Sequence, residues 1–270
     1  MAAGVAVAVF EAGLDAADAP AIVLVHGMGH WTQAAWDLLA PEFEATHRIV
    51  AFDLPGFGAS GKPKAPYTLA FFTAALYDVV EAAGLERFAL VGHSLGGMIA
   101  AEFASRHPAR IRLLGLIAPA GFLRTPALAL RIVASRPVLW LLGLIRPTRG
   151  FVNNTLDLAV YDRSSIPADQ RERAFELSQD PAVTRAFFGV YAGAAKDLSR
   201  ARAMQARFAR WRGPTALVWG RQDRYVPIRA LASARRVYPN ATVLEIDRCG
   251  HCPNVEYPRL VASALIESGA

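Results

Sequence analysis

The sequence predicts an α/β protein: a mostly parallel, doubly wound sheet that carries a helical insertion. Three observations lead there. Short β-branched apolar runs alternate with longer helical patterns, this rhythm is lost between Gly121 and about Arg212, and a glycine-flanked serine sits where one run turns into a helix. Alternation of this kind builds βαβ units, whose strands are buried on both faces and so read as continuous apolar stretches. With 270 residues, 53% of them hydrophobic, the chain can fill a full core, and one domain with an insertion is expected.

The opening "MAAGVAVAVFEAG" has no basic segment ahead of its apolar residues and no clear cleavage site, so it reads as a first strand rather than a secretory leader. The runs "AIVLVHG" from Ala21, "RIVAFDLPG" from Arg48, "FALVGHS" from Phe88, "IRLLGLIAPAG" from Ile111, "TALVWG" from Thr215 and "ATVLEID" from Ala241 end in turn or polar residues and read as buried strands. Between them, "TLAFFTAALYDVVEAAG" from Thr68, "LGGMIAAEFASRHP" from Leu95 and "IRALASARRVYP" from Ile228 have helical periodicity. Thr68 is the expected cap of the first, and Gly84, Pro108 and Pro239 are the expected stops. From Gly121 to Arg212 helical patterns follow one another without a strand-like run. The expected division is a core of residues 1–120 and 213–270 with a helical cap, 121–212, over the C-terminal edge of the sheet, where α/β proteins place their ligands. The most apolar stretch, Pro126 to Ile145, is interrupted by Arg131, Arg136 and Pro137, which a membrane span disfavours. Buried or groove-lining helices are expected there, and no stable membrane insertion.

The formal net charge is +6, and apart from Lys62, Lys64 and Lys196 the cations are arginines. Nucleic-acid binding calls for clustered basic and aromatic residues or a known module. The nearest approach is "SRARAMQARFARWR" from Ser199, where Met204, Phe208 and Trp211 fall at helical spacing and leave the arginines on the opposite, solvated face. No nucleic-acid partner is expected. Two cysteines give no disulfide framework, so a reducing cytoplasm is the expected location.

The strongest motif is "LVGHSLGG", Leu90 to Gly97. A G-x-S-x-G pattern alone is weak, but here it follows a strand and opens a helix. A sharp strand-to-helix turn holds a serine in strained backbone geometry with its hydroxyl exposed, and glycines at Gly92 and Gly96 leave room for the close backbone approach. Ser94 is therefore the candidate nucleophile, the alternative being a simple helix cap. A serine nucleophile needs a base and an orienting acid, which in this architecture follow it in that chain order of Ser, acid, His. His107 lies about four turns down the following helix, roughly 20 Å away, and His251 is the only other histidine C-terminal to Ser94. His251 is the expected base. Asp223, in the loop after the "TALVWG" strand, is the expected acid, ahead of Asp247, the alternative being a pairing of Asp223 with Arg221 or Arg224. An acyl-transfer intermediate also needs two preorganised N–H donors, expected from the backbone of Leu95 and of Met28 in the loop after "VLVHG". His26 reads as a structural hydrogen-bonding residue beneath that loop; His30 and Trp140 are candidate pocket residues.

In this order, "LVHGMG", "FDLPGFGAS", "LVGHSLGGMIAAEFA", "LVWGRQDRYVP" and "CGHCPNVEYP" resemble the α/β-hydrolase superfamily, of the small capped esterase-like kind, over essentially the whole chain. The resemblance implies an α/β-hydrolase fold, a Ser94–His251–Asp223 triad, no cofactor and no metal. It also decides how "CGHC" is read. A redox dithiol belongs at a helix N-terminus early in a thioredoxin-like unit, and two thiols without further ligands do not close a zinc shell, so Cys249 and Cys252 are expected bystanders. Related dehalogenases and epoxide hydrolases carry aspartate at the nucleophile position, so Ser94 argues against both activities. The expected activity is hydrolysis of carboxylic esters with small to medium apolar acyl groups. Carbon–carbon bond hydrolysis of ring-fission products is the alternative, beside lactonase or perhydrolase chemistry, with a ligand receptor on the same fold as a further reading. The C–C hydrolases often have tryptophan directly after the histidine where this chain has Cys252.

Overall fold

The computed structural model describes residues 1–15, 19–29, 32–123 and 146–270. Among these residues seven strands form one sheet: β1 (Val9–Gly13), β2 (Ala21–Val25), β3 (Arg48–Phe52), β4 (Phe88–His93), β5 (Ile111–Ile117), β6 (Thr215–Gly220) and β7 (Thr242–Ile246). Their order is β1-β3-β2-β4-β5-β6-β7, with β1 antiparallel to β3 and every other pair parallel. The chain steps outward from β2 to β3 and then crosses back to lay β4 on the other side of β2. Loops leaving β2 and β4 therefore diverge, and the crevice between them is a topological switch point of the kind where α/β sheets bind ligands.

Strand alternation divides the core in two. Val23 and Val25 of β2 join Leu90 of β4 on one face, packed with α2 (Leu69–Ala82) and α3 (Leu95–Arg106). Ile22 and Leu24 join Val91 on the other, packed with α1 (Thr32–Trp36) and the C-terminal helix α10 (Pro258–Glu267). Successive strand side chains point to opposite faces, so a strand covered on both sides has no polar alternation to show.

The helices begin and end where their sequence provides. Thr68 accepts a hydrogen bond from the Phe71 N–H at the start of α2, and Gly84, at φ +66°, lies two residues beyond its end. The opening stretch is shorter as a strand than its composition suggests. Ala2 and Val5 bridge across a turn at Gly4 (φ +74°), and regular pairing starts only at Val9.

Between β5 and β6 the described residues hold four α-helices, a 3-10 turn at Arg163–Ser165 and no strand, the α-helices being α4 (Arg149–Ala159), α5 (Ala168–Ser178), α6 (Pro181–Leu198) and α7 (Ala201–Phe208). Met204 and Phe208 of α7, with Trp211 beyond it, are buried in the main core, while Arg202, Arg210 and Arg212 are exposed. Arg207 instead reaches inward and pairs with the buried Glu102 of α3 at 3.1 Å. After β6 come α8 (Leu231–Val237), preceded by a 3-10 turn at Ile228–Ala230, and after β7 the short α9 (Pro253–Glu256). No helix among the described residues is long and apolar enough to cross a membrane; the stretch 126–145 lies outside them.

Candidate active site

The turn from β4 into α3 is as tight as its glycines imply. A Cβ on Gly92 would collide with the Gly96 carbonyl, and one on Gly96 with the carbonyl of Val25 at the end of β2. Ser94 between them has φ +54° and ψ −113°, a region that costs an L-residue of order 1–3 kcal/mol. Its backbone is fixed from both sides: its N–H donates to the Ile117 carbonyl (2.9 Å), and its own carbonyl accepts from the N–H groups of Met98 (3.2 Å) and Ala120 (2.9 Å). The side chain makes no capping hydrogen bond among the described residues, so Ser94 does not serve as a helix cap.

Asp223 and His251 come together across 28 residues. The Asp223 Oδ2 lies 2.8 Å from His251 Nδ1, and its Oδ1 accepts from the backbone N–H groups of Tyr225 and Val226, both at 2.8 Å. A carboxylate only accepts, so Nδ1 carries the proton and donates it, leaving Nε2 of the neutral ring with its lone pair. Both side chains are buried. Asp247 is exposed and accepts from Gln222 Nε2 at 2.9 Å, and Arg221 pairs with Glu245 rather than with Asp223.

Ser94 and His251 line one cavity of about 330 Å³. Met28 and Leu95 line it too. β2 and β4 are parallel neighbours with Val25 opposite Gly92, so Met28 and Leu95 follow adjacent strand ends. Leu95 is the first residue of α3, where backbone N–H groups have no partner within the helix. Helices α4 and α6 supply the opposite wall, with Leu156, Phe187 and Leu198 as its bulkier apolar members and Thr155 and Tyr191 as hydroxyl bearers. His30 and Trp140 lie outside the described residues.

His26 is fully buried beneath the loop after β2. Its Nε2 accepts from the Leu54 N–H (2.9 Å), so Nδ1 must be the protonated nitrogen that donates to the Gly27 carbonyl (2.8 Å). Burial holds its pKa below the ordinary 6.5, which keeps the ring neutral. His107 closes the C-terminus of α3, stacked near Tyr77 and Phe103. Cys249 and Cys252 are free and buried, and burial raises both thiol pKa values, the Glu256 carboxylate adding to the effect. They are poor nucleophiles, since only the thiolate reacts.

Three residues at the site carry no role in the sequence reading. His93, immediately before the serine, has its Nε2 2.8 Å from the His251 carbonyl and its ring 4.8 Å from the His251 ring. Tyr225 sits edge-on to His251 at 5.4 Å, with its hydroxyl donating to the Thr155 carbonyl of α4 (2.8 Å). Glu256 accepts from three backbone N–H groups on two separate segments. His93 and Glu256 stand inside recognisable motifs and Tyr225 close to Asp223, but each reaches the site through a hydrogen bond to a backbone group, which a sequence does not display.

A serine held in strained geometry after a parallel strand, lining one cavity with an aspartate-bound histidine, is the arrangement expected of a hydrolase of the α/β class. The model of the α/β hydrolase fold family matches residues 20–258, and the chain belongs to that family. It is similar to the 2-hydroxy-6-oxo-2,4-heptadienoate hydrolase of Pseudomonas putida strain F1, with 28% identity over 242 residues covering 88% of this chain and 84% of that one. It is also similar to the 2-hydroxymuconate semialdehyde hydrolase of Pseudomonas sp. strain CF600, with 26% identity over 248 residues covering 90% and 84%. Among solved structures, a meta-cleavage product hydrolase from Pseudomonas fluorescens IP01 superposes with a TM-score of 0.82 at 24% identity, covering 99% of this chain and 97% of that one, a likeness of fold.

Proposed function

We propose that this hydrolase works through Ser94 as nucleophile, His251 as general base and Asp223 as its orienting acid, and that it cleaves a ring-fission product at the carbon–carbon bond beside a carbonyl. The observation that carries the catalytic reading is the Asp223-bound imidazole opening on the same cavity as the strained Ser94. His251 Nε2 takes the Ser94 proton as the hydroxyl oxygen attacks the carbonyl carbon. The backbone N–H groups of Leu95 and Met28 receive the negative charge that develops on the carbonyl oxygen. As the tetrahedral intermediate collapses, the imidazolium returns its proton to the departing group and an acyl-serine remains. Water, deprotonated by the same histidine, then releases the acid and restores Ser94. The segment between β5 and β6 acts as a cap that supplies the cavity's second wall.

The substrate class rests on the two relatives, which resemble the chain over more than four-fifths of each length. It reverses the order in which the sequence alone ranks ester and carbon–carbon cleavage. A carbon leaving group must be delocalised before it can depart, and a dienone provides that. Ester hydrolysis on the same machinery is the second reading, favoured by the largely apolar cavity lining and by Cys252 in place of tryptophan after the histidine.

The test is turnover by one enzyme preparation of a 2-hydroxy-6-oxo-dienoate and of p-nitrophenyl butyrate. We expect kcat/KM for the dienoate to exceed that for the ester by about tenfold or more, and Ser94→Ala to abolish both activities and labelling by a fluorophosphonate. The opposite ratio selects the ester. Labelling of Ser94→Ala at the wild-type rate overturns the nucleophile.

A further inference from the structure

The base is held by more than its acid. The His251 N–H donates to the Ala159 carbonyl at the end of α4 (2.7 Å), while its carbonyl lies 2.8 Å from His93 Nε2 beside the nucleophile. Next to this pair of bonds stands Glu256. Its Oε2 accepts the N–H of Gly250, the residue before the base, at 2.7 Å. Its Oε1 accepts the N–H groups of Tyr161 and Asp162, just past α4, at 2.8 and 3.0 Å. Cys249 Sγ adds a weaker contact at 3.6 Å. One carboxylate thus satisfies backbone donors from two segments about 90 residues apart. Both segments border the cavity, α4 through Thr155, Leu156 and Ala159, and the loop through His251.

We propose that Glu256 is a positioning residue: its carboxylate fastens the loop of His251 to the corner after α4, so that the general base and one wall of the cavity are held as a unit. This rests on His251 being the base. The physical reason is that a base displaced by about 1 Å from the hydroxyl it must deprotonate loses on the order of a hundredfold in rate. Gln222 Oε1, which accepts the Cys249 N–H at 3.1 Å, ties this loop to the loop of Asp223, and Glu256 is the side chain that ties it to the corner after α4. Only an acceptor at both ends fits. An amide at this position must turn its NH₂ toward either Gly250 or the Tyr161–Asp162 pair, setting donor against donor. An aspartate keeps the charge but, one methylene shorter, cannot reach both segments.

The experiment compares wild type, Glu256→Gln and Glu256→Asp for kcat and KM per active site, counted by fluorophosphonate titration, with the rate and pH profile of that labelling and the melting temperature. Counting active sites removes any loss through misfolded protein, which is all that a merely structural role would produce. We expect kcat per titrated site and the labelling rate to fall about tenfold or more in both variants, KM for a small ester to stay within about threefold, and a steeper loss with Gln than with Asp. Values within twofold of wild type in variants that fold overturn the proposal; if Glu256→Gln does not fold, Glu256→Asp is judged by the same criterion. Wild-type protein that is not labelled at Ser94 overturns the hydrolase reading itself and this role with it, whereas labelled wild type with unchanged variants overturns the role alone.

Discussion

The two oxygens of Asp223 have different partners, and that difference fixes what Asp223→Asn should do. Oδ1 accepts two backbone N–H groups, so in the variant the amide oxygen stays there and the NH₂ is turned toward His251 Nδ1. The ring must then accept at Nδ1 and hold its proton on Nε2, the nitrogen that takes the proton of Ser94 in the proposed mechanism. We expect kcat to fall by about three to four orders of magnitude with little change in KM, measured beside His251→Ala, which should be equally inactive. The thiols beside His251 present the reverse case. Their pKa values are pushed up, so at pH 8 the thiolate fraction is small, and neither Cys249 nor Cys252 should react with iodoacetamide in the native protein at a rate approaching that after unfolding. Replacing both by alanine should leave turnover within about tenfold. His26 gives a pH dependence of stability. Its folded pKa lies below the ordinary 6.5, so the unfolded chain takes up the extra proton as pH drops through 6.5. The stability that the neutral ring contributes is complete above that pH and lost below it, at up to ~1.4 kcal/mol per pH unit until the folded pKa is reached. Urea titrations from pH 7.5 to 5 should show this decline, with the imidazole NMR signal of His26 not titrating over the range where the fold persists.

At the scale of elements, the starts and stops written in side chains were the legible ones. Thr68 caps α2, the glycines around Ser94 make the elbow, and the six strands β2 to β7 lie where their apolar runs put them. What composition missed is conformational: the pattern from Ile228 splits into a 3-10 turn and the shorter α8, with no side chain capping either, and the opening apolar stretch turns at Gly4 before β1 begins at Val9. The elbow and the cap therefore predict opposite outcomes. Gly96→Ala would press a methyl group into the carbonyl of Val25, backbone against backbone in the centre of the sheet. That substitution should cost several kcal/mol or prevent folding, and fluorophosphonate labelling should be lost with it. Thr68→Ala removes one long N-cap hydrogen bond, 3.4 Å, so thermal unfolding should report a loss of about 0.5–1 kcal/mol with kcat unchanged.

At the scale of the whole molecule, the reading from sequence reached the residues that motifs carry and stopped at those defined by what lies opposite them. Ser94, Asp223 and His251 could be put forward as candidates because chain order and strand ends constrain them. Glu256, His93 and Tyr225 could not, because they hydrogen-bond the backbone of Tyr161, His251 and Thr155, and which segments meet is decided only when the end of α4 comes to lie beside the loop of His251. The cavity between them is the property of the assembled chain, and simple esters measure it whichever natural substrate it takes. It encloses about 330 Å³, with Met98, Leu156, Phe187, Leu198 and Val226 among its lining. A methylene moved from water into such a lining contributes up to about 0.8 kcal/mol, close to a fourfold gain in kcat/KM when the transition state keeps the contact. The p-nitrophenyl series should therefore climb from acetyl to butyryl and hexanoyl. Its rise should then stop or reverse toward dodecanoyl, since a chain longer than the cavity must push α4 or α6 off the core, and α4 is tied there through Ala159, Tyr161 and Thr155. Glu256→Asp, by loosening one of those ties, should flatten the decline at long chain lengths while lowering every member of the series. A steady fall from acetyl onward would show that the apolar faces of α4 and α6 do not receive the acyl group.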